Sequence, residues 1–359
     1  LRCCLMLDAA IHSELASNGI YAYGSPELEQ FEKHMARYFG REYSRWDKKN
    51  GRPEAYGSSS FEGKMTTAIT REELAKHHYD NEFRVFKAFL DRDYLAYTMA
   101  YYGDSANEIK SAKHSLEEAQ NNKYRIIVER AEIEDGQKIL DLGCGFGGLS
   151  KYLHEHFQNV TVTAINPSQV QTNYIRKCLK RAEHPLDPSR FELIQAYFDE
   201  VTEPQLNATQ FDRVVSLGLL EHISNMDALF EKIANVLTPG GKCFHHCIVS
   251  IPTIPKLLDS ADTLIHTYFP GGHIWPYTEP VRHRTYLQPI NSWFVNGLNY
   301  WRTLDCWHKR FWESIDQLFP TFINRKQVDA WNKYFSLCKA MFVPFDGKMY
   351  GNGHFLYEN

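Results

Sequence analysis

The chain has 359 residues, 43% hydrophobic and 23% charged, with 40 Lys and Arg against 44 Asp and Glu for a net charge of -4. This composition excludes a disordered, collagen-like or fibrous chain, and it disfavours a general nucleic-acid binder, which would be basic. The length suits one large core with additions, or two to three domains. The 21 Tyr, 22 Phe and 7 Trp supply rings for both a core and a lined pocket.

Eight cysteines (3, 4, 144, 178, 243, 247, 306 and 338) make no CxxC pair, which reads as reduced thiols in a soluble, cytoplasmic protein rather than a disulfide framework. No stretch has the apolar length of a membrane span, and the opening LRCCLMLDAA lacks a signal-peptide pattern.

In chain order, residues 27–38 carry a 3.6-residue apolar rhythm and predict a helix. The polar, Gly-, Ser- and Pro-rich run 40–63 predicts an exposed linker, and helical patterning resumes over 70–90. Ser115 with Glu118 three residues on makes a capping box that opens a helix running to about residue 131. From Gln137 the pattern changes. Apolar runs at 137–143, 160–166, 191–196, 211–218 and 242–249 alternate with helical stretches at 149–157, 168–181 and 226–237. Such alternation argues a parallel sheet built from βαβ units. The Pro-, Trp-, Tyr- and His-rich segment 251–330 reads as a cap, and 351–358 as a last antiparallel edge strand. The fold class is α/β: a doubly wound sheet with a helical N-terminal region and a cap insertion. Its expected divisions are 1–76 as an extension, 77–250 as the core, 251–330 as the substrate cap, and 331–359 as a helix and edge strand completing the core.

The sharpest local signal is ILDLGCGFGGLS, a buried strand that turns on glycines into a helix. Gly143 and Gly145 let the backbone approach a ligand with no Cβ in the way. Gly143, Gly145 and Gly148 also satisfy the dinucleotide pattern GxGxxG. An NAD site, however, wants an acidic residue about 20 residues on. Here the second strand ends Ala164-Ile165-Asn166-Pro167, so an NAD oxidoreductase is disfavoured. Asp141, just before the turn, suits a ligand with an ammonium group.

This segment resembles motif I of class I S-adenosylmethionine (SAM) methyltransferases. From about residue 77 onward the chain resembles the cyclopropane-fatty-acid synthase family, which includes mycolic acid cyclopropane synthases and coclaurine-type N-methyltransferases. The residues that carry the resemblance are His78-Tyr79-Asp80, Tyr97 to Tyr102, Leu116 to Gln120, Asp141 to Gly148, Ser216 to His222, His246-Cys247-Ile248, Phe269 to Gly272, and Tyr300 with Thr303-Leu304-Asp305. The first 70 residues carry none of it. The resemblance implies a Rossmann-like fold that holds SAM through Tyr97, Thr98, Gly143, Gly145, Gly147, Asn166 and Gln171, with Ala196 and Tyr197 beside the adenine.

Methyl transfer from a sulfonium asks the protein for positioning and for a base. Glu221 and His246 fall at the carboxyl ends of strands, where doubly wound sheets open onto their ligand crevice. By resemblance, Glu221, His246 and Tyr300 are the catalytic candidates. With Ile248 they would cradle a bicarbonate ion that acts as base in the cyclopropane synthases. Met99 stands where the family has a cysteine, a departure that weakens the expected anion cradle and with it ring closure. His222 and His245 read as structural. Glu279, Arg282, His283 and Arg284 read as a solvated face, or as contacts to a polar substrate. The expected function is methyl transfer to an alkene carbon of an unsaturated acyl or lipid-like substrate. The alternative is N-methylation of a small amine, and a SAM-binding pseudoenzyme is a further reading. The expected partners are a hydrophobic or amine small molecule or lipid and transient contact with a membrane surface, without nucleic acid or metal.

Overall fold

The structure is a computed structural model that describes residues 2–50, 65–66, 83–206, 210–251, 272 and 274–359. His78-Tyr79-Asp80, the expected linker from 51 to 63 and residues 269–271 lie outside the described residues.

Alternating apolar strands build an eight-stranded sheet among the described residues. They are β1 (Lys138–Leu142), β2 (Thr161–Ile165), β3 (Phe191–Ile194), β4 (Phe211–Leu217), β5 (Leu237–Ser250), β6 (Trp275–Pro276), β7 (Gln288–Asn296) and β8 (Tyr350–Glu358). The order is β3-β2-β1-β4-β5-β8-β7, with the short β6 on β5. Strands β1 to β5 pair in parallel, while β8 runs antiparallel to both β5 and β7. The chain reverses where β1 parts from β4, which opens a crevice at the carboxyl ends of those strands.

Two expectations change here. Residues 351–358 form an antiparallel strand as expected, but an interior one, because residues 288–296 take the edge as β7 instead of belonging to the cap. Residues 40–50, expected in the linker, continue the helix Pro26–Asn50. A register jump from Phe211↔Leu237 to Arg213↔Lys242 explains how the expected turn at 238–241 fits inside β5: it loops out as an irregularity.

Successive strand residues face opposite sides of the sheet. Leu140, Val214, Cys243 and Phe355 enter one apolar cluster, whereas Ile139, Val215, Phe244 and Leu356 enter the other. The capping box is present: Ser115 Oγ accepts from the Glu118 amide, and Glu118 accepts from the Ser115 amide.

A third cluster joins the N-terminal helices Arg2–Ser17 and Pro26–Asn50 to Leu298–Glu313 and Arg325–Phe342. Its polar pin is Lys339, a buried ammonium 2.8 Å from Glu32 Oε1 and 3.2 Å from Asp305 Oδ1. Tyr23 donates to the other Asp305 oxygen at 2.9 Å. The N-terminal helices therefore back the helix Arg325–Phe342, whose other side reaches the site described below. Among the described residues no helix is long and apolar enough to cross a membrane.

Phe335 lies fully buried in this cluster, with ring centroids 5.3 Å from Phe89 and 5.5 Å from Trp331. Phe335→Ala should destabilise the protein by about 3–5 kcal/mol, as a cavity of that kind usually does. Denaturant unfolding checks it, and a loss below about 1 kcal/mol would mean that the helical cluster repacks freely.

Candidate active site

The carboxyl ends of β1, β2, β4 and β5 open into a cavity of about 230 Å³. Thirteen of the fifteen residues singled out from the sequence line it; Gly147 and Met99 are outside its lining. Gly147 (φ +82°) is instead the left-handed residue on which the helix Gly148–His156 starts, and its missing Cβ leaves room for Ile175. Met99 is buried and lies outside the cavity lining.

The glycine turn has the geometry of a ligand cradle. Gly145 sits at φ +56°, and a Cβ built on it would meet nothing within 4 Å, because it would project into the cavity. The Gly143 amide donates to Ile165 O, which ties the turn to the end of β2. Asn166 Nδ2 donates both to Gly145 O at 2.9 Å and to Gln171 Oε1 at 2.8 Å, so this pair fixes the loop's carbonyl while lining the cavity.

Asp141 is buried and accepts from Ser150 Oγ at 2.8 Å. Burial raises its carboxyl to about 7, a state that an ammonium-bearing ligand would relieve. Ala196 and Tyr197 line the wall together with Phe198 and Asp199.

The loop before the sheet closes the other side. Tyr97 stacks on Trp307 at 5.2 Å and donates to Tyr334 Oη at 3.2 Å. Thr98 Oγ1 accepts from Lys123 Nζ at 2.9 Å, and Gln120 Nε2 donates to the Thr98 carbonyl at 2.9 Å. Burial holds the Lys123 ammonium down at about 7.

Glu221 lies on the 3-10 turn Leu220–His222 just after β4. Its Oε1 accepts from the Ile248 amide at 2.7 Å, while Oε2 is buried with no hydrogen-bond partner among the described residues. Burial raises this carboxyl to about 7. Trp275 Nε1 donates to Leu220 O at 2.8 Å, and the Ser224 amide donates to Met65 O at 2.9 Å, which fixes the turn from both sides. Tyr300 stacks on Phe342 at 4.6 Å across the cavity wall. The acidic lining residues are Asp141, Asp199 and Glu221, and no Lys or Arg lines the cavity among the described residues.

His246 Nδ1 is 2.8 Å from His354 Nε2, and its Nε2 is 2.6 Å from the Asn352 amide. His245, on the opposite face as expected, bonds Ser216 Oγ at 2.6 Å and stacks on Phe230. His222 lines the cavity next to Glu221.

The cap charges correct an expectation. Glu279 and His283 are buried rather than solvated, and neither lines the cavity; His283 Nδ1 lies 2.7 Å from Asp227 Oδ1 and Nε2 lies 3.6 Å from Glu279 Oε1. They clasp the cap onto the helix Met226–Val236.

Sequence reasoning missed Asn352, His354 and the wall formed by Tyr334, Cys338, Met341 and Phe342. The signal was the alternation in Gly351-Asn352-Gly353-His354, which places the two polar side chains on one face of β8. His354 faces His246 and Asn352 faces Ile248 across the strand pair.

Residues 66–348 match the mycolic acid cyclopropane synthetase family. The chain is 30% identical over 262 residues to a probable (S)-tetrahydroprotoberberine N-methyltransferase 2 of Papaver bracteatum, covering 69% of this chain and 71% of that protein. It is 29% identical over 277 residues to the cyclopropane-fatty-acyl-phospholipid synthase of Escherichia coli K12, covering 76% of this chain and 65% of that protein. The fold is that of a coclaurine N-methyltransferase solved with N-methylheliamine and SAH, with a TM-score of 0.77 at 22% identity, covering 92% of this chain and 98% of the other. The chain thus belongs to the mycolic acid cyclopropane synthetase family of SAM-dependent methyltransferases.

Proposed function

We propose that this protein transfers the methyl group of SAM to the nitrogen of a hydrophobic amine, with Glu221 as the base. The carrying observation is Oε2 of Glu221, unpaired among the described residues, in a wall to which no described Lys or Arg contributes. An ammonium substrate would pair with that oxygen.

The cavity suits the cofactor: the Gly143–Gly147 turn leaves room for it, Asp141 would take its ammonium group, and Ala196 and Tyr197 would flank its adenine. When bound, SAM supplies an electrophilic methyl on sulfur. This chain's residues orient the acceptor and manage one proton. Glu221 Oε2 accepts a proton from the substrate ammonium, which frees the nitrogen lone pair, and the Ile248 amide holds Oε1 so that the carboxylate keeps its aim. Tyr300, Phe342 and Tyr334 shape the wall for an apolar body. Two of the groups expected to hold bicarbonate are engaged in this structure, the Ile248 amide by Glu221 and both ring nitrogens of His246 by His354 and Asn352. We derive no step through it.

A second reading is favoured by the apolar side chains of Ile274, Leu304 and Met341 in the same wall. It is transfer to an alkene carbon of an unsaturated acyl chain, in which Glu221 removes a proton from the methylated cation. The domain boundaries and a cytoplasmic setting with transient membrane-surface contact belong to the same proposal.

Labelled SAM offered with an amine panel and with unsaturated phospholipids separates the readings. Methylated amines are expected. Methylated phospholipid alone would overturn the first reading in favour of the second, with proton NMR telling a cyclopropane ring from a methyl group.

Glu221→Gln should retain SAM binding and lose about 10²–10⁴-fold in turnover, the usual contribution of one base. A loss below tenfold with chemistry limiting would remove Glu221 from that role. Because the carboxylate form is the active one and burial raises the group to about 7, kcat/KM should climb as pH rises through about 7 and then level. A profile flat between pH ~5.5 and ~8 would contradict it.

Gly145→Val places a branched side chain in the cofactor's space at a positive φ that valine resists. Calorimetry should show SAM binding lost, with the circular dichroism of a folded protein. Unchanged SAM affinity would sink the cradle.

A further inference from the structure

Behind the cavity wall a line of polar groups leads from His246 away from the site. It runs from Asn352 through His246 and His354 to Arg130. The antiparallel register sets His354 directly opposite His246, and Arg130 ends the helix Leu116–Arg130. Arg130 Nη1 lies 2.8 Å from His354 Nδ1, His354 Nε2 lies 2.8 Å from His246 Nδ1, and His246 Nε2 lies 2.6 Å from the Asn352 amide. The far end of the line is open: Arg130 and Trp293 line a surface cleft, with the guanidinium 5.0 Å from the indole ring centroid.

The direction of every bond in this line follows from its end. Arginine has donors and no acceptor, so His354 Nδ1 must accept and His354 carries its proton on Nε2. That N–H donates to His246 Nδ1, which leaves the His246 proton on Nε2. The Nε2–H then needs an acceptor at Asn352.

With the amide oriented so that Nδ2 faces His246, Oδ1 of Asn352 is buried without a partner. Turning the amide so that Oδ1 faces Nε2 supplies that acceptor and completes the line, with Nδ2 then in the place where Oδ1 had no partner; amide orientations are properly settled by such networks. With Nδ2 facing Nε2, His354 Nδ1–H would instead confront the guanidinium, donor against donor.

We infer that Arg130 and His354 are positioning residues which fix His246 as a neutral imidazole with its proton on Nε2, held toward Asn352 at the cavity wall. Both imidazoles are buried, and the charges of Lys123 and Arg130 oppose protonation of either, so His246 is held down at about 3 and His354 well below the ordinary histidine range. The lone pair of His246 is engaged by His354 and its other nitrogen bears a proton. His246 is therefore a rigid wall element and not the base, a division of labour that rests on the reading of Glu221 above.

The test is histidine nitrogen NMR on the folded protein, with the His246 signals assigned by comparison with His246→Gln. The unmutated protein should show His246 and His354 neutral, each protonated on Nε2. Arg130→Met removes the donor that sets the direction, so His246 should become a mixture of tautomers. Its kcat should fall about tenfold, the scale of one orienting hydrogen bond, with SAM affinity unchanged. Arg130→Lys keeps a donor and should restore most of both.

His246 found with its proton on Nδ1 in the unmutated protein would overturn the inference. So would a tautomer unchanged in Arg130→Met, even if activity fell, because that pattern belongs to a merely structural arginine. The spectrum of the unmutated protein needs no substrate, and the His246→Gln variant serves only to assign it. Failure of the amine reading would therefore appear in the products, and failure of this inference in the ring nitrogens.

Discussion

A carboxylate oxygen left without a partner inside an apolar cavity is costly, since a buried acceptor loses its water without replacement. Glu221 bears that cost, and the local structure prevents it from escaping. Ile248 pins one oxygen from β5, Trp275 holds the turn from β6, and Met65 holds the segment that follows. A side chain so fixed can respond in only two ways: it retains a proton, or it meets a positive charge. The rise of its carboxyl toward neutrality is the first response in the ligand-free protein. The second is what a substrate offers. The same constraint applies on the cofactor side to Asp141, another buried carboxyl with a single side-chain donor.

Much of this arrangement was legible in the sequence because it depends on local patterns. The strand–glycine–helix run 137–157, the capping box at Ser115 and the alternation of strands with helices each state a local preference that the fold keeps. The position of Glu221 followed from strand-end logic in a parallel sheet. What was hidden depends on pairing across long separations. The pattern in residues 351–358 announces a strand but not its neighbours, so insertion of β8 between β5 and β7 was invisible, and with it the facing of His354 and His246. Residues 288–296 have no clean alternation, and in a segment crowded with Pro and Trp they read as cap. The helix past Gly40 was masked by polar composition. Glu279 and His283 looked solvated because charge on a sequence says nothing of a partner such as Asp227.

The family's named relatives include both amine and lipid enzymes, and the physics of the site explains how one scaffold serves both. An ammonium substrate carries positive charge before transfer, and an alkene acquires it on methylation. A buried carboxylate beside the acceptor stabilises either one, so Glu221 by itself does not choose between them. The choice falls to the groups around it. A mobile anionic base needs free donors to hold it, and two of the groups expected to hold one are committed elsewhere: the Ile248 amide to Glu221, and His246 to His354 and Asn352. On the amine reading proposed above, what remains is a fixed base facing an aromatic wall, which would suit a substrate that brings its own positive charge and its own proton. On that proposed reading, selectivity would lie less in the residues that touch the acceptor than in the hydrogen bonds behind them, which decide which donors are still free when a substrate arrives.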